Sequence, residues 1–339
     1  MIVELMKGAI VPGLSIAVIK DSELVWKRGF GVKDSISGGN VDDDTVFDVA
    51  SVSKTVFAYA VMKLCEKGVI GLDTPLTRYT PDRILEGDAR LDRITARHVL
   101  SHTSGFQNWR SGREPLRIHF EPGEKYLYSG EGYFYLQSVV THLTGQRNPN
   151  LCAPYEADLE VCATDIDTYL TANLLRPFGM ASSGYPWNDS LNRRAARPHD
   201  VAGKPLAKGK PTATGPARYA AAGGLHTTAT DYARFLLEIM DPRPSDAFRL
   251  SKASLQTMIR PHVKVDESTS WALGWQVGHT PGGDLIQHQG GQGGFQAFTA
   301  ASVERRSGFV MLTNSANGSK VFYDERFSAA MNRVLFGGR

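Results

Sequence analysis

The chain lacks the marks of a membrane-spanning, polyanion-binding or disulfide-built protein. No run approaches the roughly 20 apolar residues that a spanning helix needs, so a membrane span is not expected. Lys and Arg number 38 against 35 Asp and Glu, a net charge of +3. No basic stripe concentrates that excess, which argues against a nucleic-acid partner. Cysteine is scarce, with only Cys65, Cys152 and Cys162 in 339 residues and no Cys-x-x-Cys pair. Cys65 falls in an apolar helical run and reads as a small buried hydrophobe. Cys152 and Cys162 can close a short loop, but a reduced pair is favoured over a disulfide in a cytosolic chain. Residues 1–7 have no basic leader, long apolar core or small-residue cleavage site and read as a short helix entering the first strand. The expected location is cytoplasmic.

Two further absences narrow the chemistry. There is no Gly-x-Ser-x-Gly, so the sharp strand-to-helix elbow of an α/β-hydrolase does not supply the nucleophile. No phosphate-cradling or dinucleotide glycine pattern precedes a helix, and no cofactor is expected. His98 and His102 are four apart, but no Glu follows His98 and no third ligand accompanies them. They are expected to be structural, and no metal is expected.

What is present reads as a globular domain with 42% apolar and 22% charged residues, long enough for a large core or two interlocked domains. Strand-like runs at 14–20 and 24–32 flank Asp21-Ser22, a hairpin signal. Helical patterns follow at 54–65, 93–100, 131–143, 166–175, 230–240 and 252–259, then β-like runs at 271–277, 285–288, 295–302 and 309–313, and a last helix at 323–335. Strands at both chain ends with helices between imply an α+β fold. Its expected core is one antiparallel sheet built from residues 1–70 and 221–339, with 71–220 a mostly helical inserted domain. The polar stretch 145–165 interrupts two helical segments; a lid, an oligomer contact and a plain surface insertion all fit it.

Ser51-Val52-Ser53-Lys54 is the single Ser-x-x-Lys in the chain. Extended residues precede it and the helical run 55–62 follows, so a helix starts at or near Ser51. The hydroxyl then sits at a helix N-terminus, where the macrodipole favours developing negative charge. Lys54, one turn on, lies on the same face and can reach it. A desolvated neutral lysine is a competent base for a serine nucleophile. In isolation the tetrapeptide fits equally a capping serine and a solvated lysine.

Two more motifs give it weight: Tyr128-Ser129-Gly130 and His288-Gln289-Gly290-Gly291. In this order the three resemble the class C β-lactamase-like serine hydrolases, a superfamily that includes D,D-peptidases, D-amino-acid amidases, class C β-lactamases and family VIII carboxylesterases. Residues 11–18, 94–105 and 222–231 carry further resemblance, so the likeness spans nearly the whole chain. It implies Ser51 as nucleophile, Lys54 and Tyr128 as the proton-transfer pair, and the Ser51 and Gly291 amides as an oxyanion hole, in a cleft between the two domains. His288 stands where many relatives carry Lys-Thr-Gly; it is a candidate to polarise the Tyr128–Lys54 network or contact a substrate oxygen, beside Gln289 and Gly290. The Gly290-Gly291 run also fits a bulge or turn. Tyr126, Tyr133 and Tyr135 better fit packed core positions, while Phe106, Trp109 and Trp187 are candidates to line the cleft.

Gly130 departs from the Tyr-x-Asn of amide- and lactam-processing relatives. It removes a side-chain partner for a substrate amide and leaves attack on an ester intact. The resemblance therefore implies a small or medium ester as substrate. A D-amino-acid peptidase or amidase, a weak β-lactamase, an acyltransferase and a non-turning-over acyl sensor are the alternatives. The chain is expected to act as a monomer or homo-oligomer on a small molecule.

Overall fold

Residues 14–19 and 309–312 are apolar at almost every position, a pattern that requires cover on both faces of a strand. The computed structural model, which describes residues 1–80, 83–110, 114–146, 159–186, 188–207 and 220–337, supplies that cover. Cys152, Trp187 and most of the 145–165 connection lie outside the described residues, as does the side chain of Cys162.

In chain order the elements are α1 (Ile2–Ala9), β1 (Gly13–Lys20), β2 (Glu23–Asp34), β3 (Gly38–Asn40), β4 (Phe47–Asp48), α2 (Ser53–Glu66), α3 (Ala96–Leu100), α4 (Gly130–Leu143), α5 (Leu159–Leu170), α6 (Asp189–Arg194), α7 (Ala220–Gly223), β5 (His226–Thr227), α8 (Ala229–Met240) and α9 (Lys252–Ile259). Then come β6 (Val263–Lys264), β7 (Thr269–Trp271), β8 (Gln276–Thr280), β9 (Gly283–Gln292), β10 (Phe295–Ser302), β11 (Ser307–Thr313), α10 (Gly318–Phe322) and α11 (Glu325–Phe336).

Among the described residues the sheet has nine strands in the order β3-β2-β1-β11-β10-β9-β8-β7-β6, with every neighbouring pair antiparallel. The first strand thus lies against the last, Leu14 opposite Thr313 and Val18 opposite Phe309. This closure makes the fold α+β. Alternation sorts the side chains. Leu14, Ile16, Val18, Phe309 and Met311 pack with α1, α10 and α11 on one face. Ala17, Ile19, Val310 and Leu312 join the larger core with α2 and α8 on the other.

Three elements differ from the sequence pattern. Residues 271–277 form a hairpin, not one strand: Gly274 turns at φ 84°, and its hydrogen side lies against Ala58 of α2, where a Cβ would come to 2.5 Å. Beta-rich 285–288 is part of a longer strand, β9, and Gly290 and Gly291 sit in unbroken register opposite Ala297 and Gln296; the turn falls at Gly293-Gly294. A further short helix, α10, precedes the expected last one, which runs as α11 from its Asp324 cap on Arg326 N.

Leu312 is solvent-inaccessible on central strand β11. Leu312→Ala is expected to cost about 2–5 kcal/mol through lost burial and the cavity left behind. Denaturant unfolding should show this as a lower midpoint with an unchanged slope; an unchanged midpoint would contradict the two-sided packing.

Candidate active site

The chain leaves β4, makes a single 3-10 turn at Ala50–Val52 and enters α2 at Ser53. Ala50 is in the left-handed region at φ 45°, a strained conformation for a residue with a Cβ. Several contacts hold it there. Asp48 Oδ1 accepts from Ala50 N at 2.7 Å, Ser53 Oγ donates to Ala50 O at 2.6 Å, and Leu225 N donates to Ser53 Oγ at 2.9 Å. Strand β9 then approaches closely. A Cβ on Gly290 would lie 2.9 Å from Ser51 N and 3.1 Å from Ala50 Cβ, and nearer still to Val49 O. Gly290 is a glycine because the backbone before Ser51 occupies its side-chain space. Ser51 itself caps nothing; no side-chain cap bond is made at either helix start.

Lys54 is wholly buried. Its Nζ lies 3.1 Å from Ser51 Oγ and donates to Ala222 O at 2.6 Å. Three rings surround the amine, with centroids at 5.0 Å (Tyr128), 5.4 Å (Tyr133) and 5.7 Å (Trp109). Burial alone pushes its pKa from 10.5 down to about 7. The solvated-lysine alternative is thereby removed. The contrast with Lys63, on the same helix, is instructive: that amine binds Glu66 Oε2 at 2.9 Å, Asp246 O at 2.8 Å and Arg249 O.

Tyr128 precedes α4, whose N-cap is Ser129: Gly132 N donates to Ser129 Oγ at 2.9 Å. The Ser-x half of the motif is thus a cap that fixes where Tyr128 leaves the helix. The Tyr128 hydroxyl shares a hydrogen bond with Ser51, yet burial raises its pKa. The phenol stays protonated at neutral pH. Tyr133 and Tyr135 are core residues as expected. Phe106 is also core, edge-on to Tyr135, and does not line the site.

His288 is buried beside Trp271, with ring centroids 5.6 Å apart, and Tyr128 lies at 6.5 Å. Its pKa falls to about 3 through burial and the nearby Lys54, so it is neutral. Gln289 is not brought to the site. Its side chain projects from the opposite face of β9 and accepts from Tyr323. Gly291 is exposed one residue beyond Gly290, opposite Gln296.

Sequence reasoning assigned His102 a structural part only and gave Asp48 and Gln292 none. His102 stacks on Tyr128 at 4.2 Å, and its Nδ1 accepts from Ser129 N at 3.0 Å, which places it under the Tyr128 ring. Gln292 Nε2 donates to Asp48 Oδ2 at 2.7 Å and Gly223 O at 3.1 Å, tying β9 to β4 and α7. The sole sequence hint is position: Asp48 lies three residues before Ser51, and Gln292 ends β9 directly after the third motif. His98, by contrast, forms a reciprocal cap with Thr95 and stays structural. The described residues hold no group of three or more His, Cys, Asp or Glu placed to bind a metal, and no helix among them is long and apolar enough to cross a membrane.

Comparison with known proteins adds to this geometry. A family model described as Beta-lactamase matches residues 1–331. Penicillin-binding protein 4* of Bacillus subtilis (strain 168) is 22% identical over 347 residues, covering 95% of this chain and 72% of its own length. Protein flp of Staphylococcus aureus (strain MRSA252) is 21% identical over 331 residues, 92% of this chain and 61% of that protein. A D-alanine carboxypeptidase AmpC from Burkholderia cenocepacia shares the fold, with a TM-score of 0.75 at 20% identity over 97% of this chain and 96% of that one.

A buried lysine whose pKa drops from 10.5 to about 7 works against folding. Between those values the unfolded chain holds one more proton than the native state, so this group makes stability rise by about 1.4 kcal/mol per pH unit. The penalty is complete below pH 7. Lys54→Met should therefore raise stability most at pH 7 and progressively less toward pH 10, read from denaturant midpoints across pH. A gain independent of pH would mean that Lys54 is not buried as the free amine.

Proposed function

The chain belongs to the beta-lactamase family of serine hydrolases, and from that premise we propose that it hydrolyses small or medium carboxylic esters through an acyl-enzyme on Ser51. The observation that carries the reading is the Lys54 amine, buried without a counter-charge 3.1 Å from Ser51 Oγ. An uncharged amine has a lone pair to accept the hydroxyl proton. Ser51 Oγ attacks the carbonyl carbon as its proton passes to Lys54 Nζ. The carbonyl oxygen becomes an oxyanion, held by the amides of Ser51 and Gly291. Tyr128, protonated and hydrogen-bonded to Ser51, relays a proton to the departing alkoxide and recovers one from the Lys54 ammonium. Water then repeats the sequence: it loses a proton to Lys54, attacks the acyl carbon, and Ser51 leaves with that proton.

The ester preference rests on position 130, where glycine offers a substrate amide no side-chain partner. Amide or lactam hydrolysis is the second reading, favoured by relatives named as penicillin-binding proteins and a D-alanine carboxypeptidase.

A serine-directed phosphonate should add once to the wild type and not to Ser51→Ala, read by intact mass, and p-nitrophenyl esters should turn over much faster than matching anilides or a chromogenic cephalosporin. An adduct on Ser51→Ala sinks the nucleophile; anilides cleaved as fast as esters move the assignment to the second reading.

The pH dependence separates the base from its neighbours. His288 is neutral above about 3, and the Tyr128 proton is held by burial, so Lys54 is the group that titrates near neutrality. The value of kcat/KM should rise tenfold per unit below about pH 7 and level off above it. Lys54→Ala should lower kcat by at least ~10²-fold and abolish that limb; a retained limb assigns the base elsewhere.

A further inference from the structure

Gly130 opens α4 with a backbone that any residue can adopt, since its φ is outside the left-handed region. Its lack of a side chain has another cause. A Cβ there would lie well under 3.0 Å from Cη2, Cζ3 and Cζ2 of Trp109. The six-membered edge of the indole rests on the Gly130 Cα. The same ring stands over Lys54 Nζ at 5.7 Å.

The indole is held there from both sides. Ser129 Oγ donates to Gln107 O at 2.9 Å, and Gly130 N donates to Asn108 Oδ1 at 2.9 Å and Asn108 O at 3.1 Å. Glu131 N also donates to Asn108 O at 2.9 Å. On the far side, Arg110 Nε reaches Glu131 Oε1 at 2.9 Å and its N reaches the same oxygen at 3.1 Å, against a carboxylate that is almost fully buried. Residues 107–110 thus form a strap bolted to the first turn of α4 before and after Trp109. The ring is half-buried, with its six-membered part against Gly130 and Lys54 Nζ 5.7 Å from its centroid.

We propose that Trp109 is the specificity-determining wall of the Ser51 site, where its indole takes the place of a polar side chain at position 130 and selects esters with an apolar acyl group that lies flat on the ring. The inference rests on the ester reading above. A flat apolar face gives van der Waals contact to alkyl or aryl carbons and offers nothing to a carboxamide beyond one ring N–H. Gly130 and Trp109 are therefore one device: the glycine makes the space and the tryptophan fills it. Supplying asparagine alone at 130 cannot restore amide recognition, because the indole already occupies its path.

The test is a double-mutant cycle of Trp109→Ala and Gly130→Asn, assayed on p-nitrophenyl esters from acetate to octanoate and on one matched anilide, with phosphonate labelling and melting curves. Trp109→Ala should flatten the acyl-length preference, losing about tenfold in kcat/KM on the longer esters, chiefly through KM. Gly130→Asn alone should lower both melting temperature and ester turnover. The double variant should recover melting temperature relative to Gly130→Asn and raise the anilide-to-ester ratio several-fold over wild type. Strictly additive effects, or an unchanged chain-length profile in Trp109→Ala, overturn the proposal. Trp109→Phe, which keeps a smaller ring and should give an intermediate slope, decides the matter if the alanine variant does not fold. Loss of wild-type labelling would fault the nucleophile instead, so the two failures are distinct.

Discussion

An amine buried with no carboxylate among the described residues to meet it is the constraint on which this site is built. Lys54 has one carbonyl and one hydroxyl as partners, and rings on its remaining sides. A charge held there would be heavily penalised, so the group gives up its proton instead. Everything placed near it is compatible with that choice. His102 and His288 are both held neutral, chiefly by burial, and Tyr128 keeps its proton. The site thus contains several titratable groups, of which Lys54 is the one that titrates near neutrality. Lys63, nine residues along α2, shows the other solution, a buried amine satisfied by a carboxylate and two carbonyls.

A neutral base is of use only if the hydroxyl is delivered to it, and the delivery is a matter of backbone geometry. Ala50 is kept in the left-handed region, and the strain is offset by bonds from three directions: Asp48 from β4, Ser53 from α2, and Leu225 through Ser53. Asp48 is itself buried, which raises its pKa, and it is steadied by Gln292 at the end of β9. Gly290 admits the whole turn to the sheet face. Strand β9, the Ser51 turn and α7 are therefore locked together by a hydrogen-bond network, and the large core beneath them supplies the stability this arrangement draws on.

The sheet was legible because its strands carry strong local signals. Strands β1 and β11 read as unbroken apolar runs, and burial on two faces permits no other placement. The helices at 230–240 and 131–143 were legible from their period, and the structure caps them with Thr228 and Ser129. Residues 271–277 were misread because Trp271 and Trp275 suit a strand equally well on either side of a tight turn, and the contact of Gly274 with Ala58 is not local. The glycines of the third motif invited a bulge; the absence of a side chain at Gly290 answers to Val49–Ser51, some 240 positions earlier in the chain. Ser51, Lys54 and Tyr128 were legible through motif order. Trp109 was one aromatic among several in sequence, since its meaning lies in its fit to a missing side chain at Gly130. Gln289 shared the motif of His288 but, by strand alternation, the other face.

The departures at positions 130 and 288 point the same way once the geometry is considered. Glycine at 130 deletes a hydrogen-bonding side chain and lets an indole in. Histidine at 288, buried and neutral, deletes a fixed positive charge from the far wall. A substrate bearing a carboxylate would meet no permanent cation there, and one presenting an amide would meet Trp109. Neither change harms the Ser51–Lys54 contact, which depends on burial and on backbone held elsewhere. In the proposed reading, recognition and nucleophile activation are thus separable: the walls offer few polar groups, while Ser51 and Lys54 are kept dry. An uncharged ester demands the least from such walls, because its acyl carbons gain from apolar contact and its carbonyl oxygen needs only backbone amides. The same burial that lowers the Lys54 pKa sets it among the apolar rings of Tyr128, Tyr133 and Trp109, the surface that the proposed acyl group would meet.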